Sequence, residues 1–354
     1  MSRAFCFQGS LAPLVLACVG ALLFGAPTLA QTTSDPAAIA TYTGPDRDKL
    51  LTDGGKAEGV VSIYSSAQTD DMAVITAAFE KKYGIKTRMW RGSSEDILQR
   101  TVTEARGRRY DVDVVETNGN VLEALHREKL MQAIDSPVLA DLIPGAIRPH
   151  REWLGSRINI VVSARNTNLV KKEEAPASYE ALLDPKWKGK LGIEADDVDW
   201  FAAVVTNMGE AKGLKLFRDI VATNGISIRK GHTLLTNLVI SGEVPLALTT
   251  YHYKAEQLKN AGAPLDWFSV PPTFAQAIGI GMTKRAPHPN AAVLFIDFWL
   301  TEGQQILAKR DFTPVNVKVM PALKTMNLQM IDPSQLLDEG EKWSKLYKET
   351  FANR

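Results

Sequence analysis

From Gly59 onward the chain alternates short strand-like and helix-like pieces, and this order limits the folds open to it more than any other feature. Val60-Val61-Ser62-Ile63-Tyr64 reads as a strand, and Asp70 to Tyr83 repeats Met72, Ile75 and Phe79 at helical spacing. Lys86 to Trp90 is a second strand, Ser94 to Ala105 a second helix, and Asp113-Val114-Val115 a third, short strand. A β-α-β-α-β run predicts a mostly parallel sheet with helices on its faces. The alternation resumes with a strand from Ile158 to Val162. A further strand follows at Lys190 to Ile193, helices at Phe201 to Asn207 and Leu214 to Ala222, and a strand at Leu246 to Thr250. Trp267 to Val270 and Gly279 to Met282 then read as strands returning to the first lobe, ahead of a helix from Ala291 to Leu300. A chain that passes from one α/β lobe to another and back makes a bilobed body with a cleft and a hinge.

The amino-terminal end argues for export. Met1-Ser2-Arg3 is a short basic start, Leu11 to Phe24 is almost unbroken apolar sequence, and Pro27-Thr28-Leu29-Ala30 offers small residues for cleavage before Gln31. Residues 1–30 are therefore read as a secretory signal cleaved near Ala30, which places the mature chain in the periplasm. Leu16-Ala17-Cys18 loosely resembles a lipobox, but the apolar run continues past Cys18 where a lipoprotein would turn polar. Both cysteines, Cys6 and Cys18, fall inside this segment, so the mature chain has no disulfide and no thiolate metal site. Residues 31–55 are small and polar at their start and are read as a flexible leader, with the fold beginning near Lys56. Roughly 320 mature residues exceed one ordinary core and ask for two lobes. Arg3 is the one charged residue of the signal, so 40 basic residues face 40 acidic ones and leave no electrostatic footprint for nucleic acid or an anionic membrane. The short basic clusters Arg106-Gly107-Arg108-Arg109 and Lys186-Trp187-Lys188 read as solvated turns.

Searches for enzyme motifs fail. The chain has no Gly-x-Ser-x-Gly elbow, His-Glu-x-x-His, Walker loop or Gly-x-Gly-x-x-Gly, and His126, His150, His232, His252 and His288 show no metal-ligand spacing. Three stretches remain, each at a strand end where open α/β sheets bind ligands. In Trp90-Arg91-Gly92-Ser93-Ser94-Glu95-Asp96, Ser93 or Ser94 caps a helix whose free N–H groups can hold an anionic group, or serves as an ordinary cap. Glu194-Ala195-Asp196-Asp197-Val198-Asp199-Trp200 packs several carboxylates into one turn, where they repel unless a cation offsets them; a solvated acidic loop is the alternative. Thr249-Thr250-Tyr251-His252-Tyr253 can coordinate a hard metal ion, stack on an organic cation, or simply pack with polar tips near the surface.

Taken in order, these stretches resemble the extracellular solute-binding proteins of bacterial ABC importers, and more narrowly the ferric-ion-binding group and its relatives that bind thiamine, phosphonates and sugar phosphates. The resemblance covers almost all of the mature chain. It is carried by Val61-Ser62-Ile63-Tyr64-Ser65-Ser66, Phe79-Glu80-Lys81-Lys82-Tyr83-Gly84-Ile85-Lys86, Asp113-Val114-Val115, Asp184-Pro185-Lys186-Trp187-Lys188-Gly189-Lys190-Leu191-Gly192, Ser241-Gly242-Glu243-Val244 and Ala286-Pro287-His288-Pro289-Asn290-Ala291-Ala292. It implies a type II periplasmic binding protein: two α/β lobes with a hinge and an interlobe ligand cleft, working as a monomer that docks on an inner-membrane permease. The lobes are expected at 56–157 with a return segment at 265–325, and at 158–264, followed by a helical tail at 326–354.

The resemblance also maps a ligand set that departs from the ferric pattern. The family's adjacent tyrosines fall on His252 and Tyr253, with Tyr251 just before; its histidine falls near Gln68, and its glutamate at Asn118 with Glu116 two residues earlier. Where ferric binders hold a synergistic anion with small hydroxyl residues, this chain has Asp196, Asp197 and Asp199, which suit a positive charge. Ferric iron held by Tyr251, His252 and Tyr253, as cargo and with no cofactor required, is the first expectation. The alternative is an organic cation or zwitterion, thiamine-like, amine or aminophosphonate, held between Trp90, Trp200 and the tyrosines, with an anionic end at Ser93 and Ser94. His232 completes the expected ligand residues. A secreted hydrolase would have to pair Ser94 with His232 or His252, and a sensor would use the same fold to signal through a membrane kinase.

Overall fold

Two runs of parallel strand pairing meet on one long buried strand. The computed structural model describes residues 35–321 and 328–351. The expected export signal, with Cys6 and Cys18, and the start of the leader lie outside the described residues, as does the expected boundary at 325/326. Among the described residues no helix is long and apolar enough to cross a membrane.

The first part of the chain runs α1 (Pro36–Ala40), α2 (Arg47–Glu58), β1 (Val60–Ser65), α3 (Thr69–Tyr83), β2 (Lys86–Arg91), α4 (Ser94–Arg106), β3 (Val114–Asn118), α5 (Gly119–Arg127) and β4 (Met131–Gln132). β5 (Leu154–Asn166) leads into β6 (Leu191–Glu194), α6 (Val198–Met208), α7 (Glu210–Asn224), β7 (Ser227–Arg229), α8 (His232–Ser241), β8 (Leu246–Tyr251) and α9 (His252–Asn260). The chain then continues through β9 (Leu265–Phe268), β10 (Thr273–Thr283), α10 (Pro289–Leu300), α11 (Glu302–Lys309), β11 (Leu328–Met330) and α12 (Gln335–Phe351).

β1 is parallel to β2 and β3, and β6 is parallel to β7 and β8, as the alternation predicts. β5 joins the two halves. Its residues up to Ile160 pair with β10, and from Val161 onward it pairs with β8 and β9. β10 also pairs with β3 and so returns the chain to the first half. β9 does not return: it pairs with Ser163–Asn166 of β5 in the second half, because the reversal after α9 is too short to reach across the body. All of β5 is buried, and its polar side chains are satisfied locally. Ser156 Oγ donates to the Ile278 carbonyl at 3.0 Å, Ser163 Oγ to that of Leu248 at 2.9 Å, and Arg165 to that of Val170 at 2.6 Å.

Each half has its own apolar core. In the first, α3 turns Met72, Ile75 and Phe79 onto β1, and Phe79 meets Phe295 of α10 edge-on at 5.1 Å. Acidic residues in the first turn of α3, Lys81 and Lys82 in its last turn and a left-handed Gly84 beyond it account for its ends. In the second, Trp200, Phe201 and Phe217 are fully buried, and α12 packs Trp343, Tyr347 and Phe351 against them. The expected tail is thus strand and helix together: β11 extends β10, and α12 closes the second core.

The leader is not a flexible segment where it is described. α1 and α2 fill much of it, burying Ile39, Ala40 and Leu51, and Arg47 forms a buried ion pair with Asp297. Glu58, at the end of α2, caps α10: its carboxylate accepts from the Asn290 N–H at 3.1 Å and the Ala291 N–H at 2.8 Å. The sequence hides this helix because few of its residues face the core, so no apolar stripe shows. Leu51→Ala is expected to cost about 2–5 kcal/mol of stability. Urea denaturation measures it, and an unchanged midpoint would show that α2 is not part of the cooperative fold.

Candidate functional site

β3, β6 and β8 all end on one side of the junction between the halves, and there the chain turns into helices around a cavity of about 320 Å³. Five carboxylates line it: Glu194, Asp196, Asp197, Asp199 and Asp332. Among the described residues no lysine or arginine does. His232, Tyr251 and Gln276 complete the polar wall on the β8 and β10 side. Asn118, Gly119 and Asn120 come from the β3–α5 turn, and Ile331, Pro333 and Leu336 from the segment leading into α12. Gly119 lacks a side chain of necessity, since a Cβ there would lie 2.9 Å from the Ala277 carbonyl oxygen.

The acidic turn is held from three directions. Glu194 accepts the Asp196 N–H on one carboxylate oxygen and the Gly231 N–H, at 2.7 Å, on the other, which ties β6 to the start of α8. The Tyr347 hydroxyl of α12 donates to the Glu194 carbonyl. Asp199 accepts from its neighbour's Trp200 N–H at 2.8 Å and from the Gln276 amide. Gln276 in turn accepts from the Tyr251 hydroxyl at 3.2 Å. Asp197 is different. Only 3% exposed, it lies 3.1 Å from His232 Nε2 through one oxygen, while its other oxygen is buried without a partner. Glu194, Asp197 and His232 each offer a ligand atom within 4.8 Å of the others, a convergence of distant segments that no local spacing could show.

Electrostatics follow from this crowding. Burial, helped by the charge of Asp197, pushes the Asp199 carboxyl up to about 6. Burial and the charges of Asp197 and Asp199 hold the Tyr251 phenol well above its ordinary value. Burial lowers His232, but the charge and hydrogen bond of Asp197 outweigh it and the net shift is upward.

Of the residues singled out in the sequence, Asn118, Asp196, Asp197, Asp199, His232 and Tyr251 line the cavity together. The others do not. Gln68 is exposed before α3, and Ser93 caps α4 through a reciprocal pair of bonds with Asp96. The Ser94 hydroxyl accepts from Thr117 Oγ1 at 2.9 Å. Trp90 packs on Tyr64 at 5.0 Å with the Arg100 guanidinium over its ring. Trp200, 2% exposed, points into the second core between Tyr179 and Phe217, because it lies on the face of α6 opposite the cavity. Glu116 is buried beside β1, accepting from Ser65 Oγ at 2.6 Å with Arg157 3.6 Å away. Within the Tyr251-His252-Tyr253 triplet only His252 turns away; Tyr251 and Tyr253, on either side of the change from strand to helix, stack with ring centres 6.0 Å apart, but only Tyr251 lines the cavity. His252 packs edge-on against Trp267 at 4.4 Å, and Tyr253 lies on Phe312 at 4.5 Å. Sequence reading missed Gln276, Asp332 and the apolar wall from the carboxy-terminal segment; only tertiary pairing brings them here.

Two half-sheets joined by crossing strands, with a polar cleft at their junction, define a type II periplasmic binding protein. The chain belongs to the bacterial extracellular solute-binding protein family, which its residues 112–339 match. A curated relative, iron uptake protein A1 of Synechocystis sp., is 26% identical over 291 residues, covering 77% of this chain and 80% of that protein. Among solved structures, iron-bound HitA from Pseudomonas aeruginosa superposes with a TM-score of 0.70 at 22% identity, covering 82% of this chain and 99% of that one. AfuA from Actinobacillus pleuropneumoniae, with fructose-6-phosphate bound, gives 0.69 at 23% identity, covering 84% of this chain and 100% of that one. One fold therefore accommodates cargoes of opposite charge, and the residues of the cleft must decide between them.

The raised groups predict how stability varies with pH. Asp199 and His232 both bind a proton more tightly in the folded chain than in the unfolded one, so each stabilises the fold at low pH. The Asp199 contribution is lost as pH rises through about 6, and that of His232 at higher pH, past its ordinary value. His150 and His252, lowered by burial, act with the opposite sign, so the test is by difference: relative to wild type, the melting temperature of unliganded Asp199→Asn should gain as pH rises toward about 6. An identical profile in the variant would remove Asp199 as a titrating group.

Proposed function

We propose that the chain is the periplasmic binding component of an ABC importer and that its cleft captures a cation, with ferric iron as the first candidate cargo. The observation that carries this reading is Asp197, a buried carboxylate with one oxygen unpartnered in a cavity lined by four further carboxylates. Such an oxygen is costly unless a positive charge meets it. A phosphate-bearing solute would face like charge on nearly every side. Asp197, Asp199 and Tyr251 supply hard oxygen donors suited to ferric iron, and His232 a nitrogen donor. The name of the Synechocystis relative and the iron-bound HitA structure support the same cargo.

Capture works through closure. Lobe one, built on β1, β2 and β3, and lobe two, built on β6, β7, β8 and β9, share the strands β5 and β10, which bend as ligand contacts from both lobes favour the closed form. The loaded, closed monomer then docks on its inner-membrane permease. Binding rather than bond cleavage is the activity: of Ser94, His232 and His252, from which a hydrolase would draw its pair, only His232 is at the cavity, while Ser94 is bonded to Thr117 and His252 packs on Trp267.

A second reading, an organic cation, draws on the cavity's other wall. A volume of about 320 Å³ exceeds what a single ion occupies, and Ile331, Pro333 and Leu336 offer an apolar surface beside the carboxylates.

Titration of the mature protein with chelated ferric iron, followed by visible absorption and metal analysis, separates the two. An iron carrier should show stoichiometric iron and a tyrosinate charge-transfer band that Tyr251→Phe abolishes and Tyr253→Phe leaves in place. Colourless, metal-free protein would end the iron reading and direct the search to amine ligands by thermal shift. Asp197→Asn should weaken either cation about tenfold or more, since it removes a charge-assisted contact. Parent-like affinity in that variant would overturn the cation reading itself.

A further inference from the structure

A second cavity, of about 120 Å³, opens on the first half away from the acidic cleft, where the turns after α4, α5 and β10 converge. Its character is the reverse of the first. Arg109, Lys129, Lys284 and Arg285 line it, and among the described residues none of the four forms an ion pair with a carboxylate. Arg285 is steered by Tyr110, its guanidinium 5.0 Å from the ring centre. Lys129 occupies a left-handed position (φ 60°), which glycine or asparagine fills at less cost. The one carboxylate at the cavity, Glu104, is already engaged: it accepts from the Tyr64 hydroxyl at 2.9 Å and from Arg100 Nε at 2.7 Å. The cations complement the carbonyl ends of α4 and α5, but four charges exceed what two partial helix charges can offset.

The decisive observation is Thr101. It is 5% exposed, lines this cavity, and its hydroxyl has no hydrogen-bond partner. A threonine inside a helix ordinarily bonds the carbonyl one turn back. Here that bond is not made, and a buried donor is left at the wall of a basic pocket.

We propose that this pocket is a binding site for a single oxyanion group of phosphate size, with the Thr101 hydroxyl donating to it and Arg109, Lys129, Lys284 and Arg285 neutralising it. The volume admits one such group and little more. Free phosphate and the headgroup of an anionic phospholipid present the same chemistry.

Calorimetric titration of the mature full chain with inorganic phosphate at low ionic strength, paired with sedimentation on phosphatidylglycerol vesicles, tests the site. The wild type should bind one of the two probes saturably, and which one identifies the source. Thr101→Val should reduce affinity about tenfold, the loss of one hydrogen bond to a charged group. Thr101→Ser, which keeps the hydroxyl, should retain affinity, and Lys284→Glu with Arg285→Glu should abolish binding. Titration of the acidic cleft with its cation should be unchanged in all three. Absence of saturable binding of either probe overturns the proposal. So does binding that charge reversal removes but Thr101→Val leaves intact, since attraction to surface charge alone would explain it.

Discussion

β5 is the constraint on which the rest of the molecule rests. Its residues are buried throughout, and it exchanges partners midway, from β10 on one side of Ile160 to β8 and β9 on the other. Two parallel half-sheets can share a strand only if that strand is long, extended and satisfied along its whole length. Ser156, Ser163 and Arg165 meet this demand by bonding to backbone carbonyls, so polar side chains lie in the core without orphaned groups. With few strands passing between the halves, bending is confined to them while the cores on either side stay packed.

That junction explains why the acidic turn can exist. Glu194, Asp197 and Asp199 stand close enough to repel, and burying their charges together is costly without compensation. Compensation arrives from three chain segments: Gly231 at the start of α8, Gln276 on β10, and Tyr347 on α12 against the carbonyl behind the turn. The amino-terminal ends of α6 and α8 face the same place and favour negative charge. Asp197 keeps an oxygen in reserve. The fold therefore builds a carboxylate cluster that is organised but not neutralised, the condition under which a cation binds without first displacing protein contacts.

Much of the architecture was legible from local pattern. The strands β1, β2, β6 and β8 and the helices α3, α4, α6, α7 and α10 lie where the sequence pattern predicts them: β1, β6 and β8 are short apolar runs buried at nearly every position, and α3 repeats Met72, Ile75 and Phe79 at helical spacing. α2 escaped notice because only Leu51 and Gly55 of its middle enter the core, with the buried Arg47 disguised as surface charge. At the site, the acidic turn and Tyr251 could be read from their position at strand ends. Trp200 could not, since one residue along a helix turns a side chain by about 100° and converts a candidate ligand-stacking residue into core.

What the sequence determined by itself was periodic or compositional: alternating α/β elements, the carboxylates crowded after one strand, the absence of a catalytic motif, and a resemblance to solute-binding proteins that the family match bears out. What only the tertiary structure decided was convergence. His232 meets Asp197 across a separation of 35 residues, Gln276 reaches Asp199 across 77, and the carboxy-terminal segment closes the far wall. Thr101 acquires meaning only beside cations from two other segments. Hydrophobic periodicity reports which face of an element is buried. It carries no record of which distant element covers that face, and both cavities are made where such coverings meet.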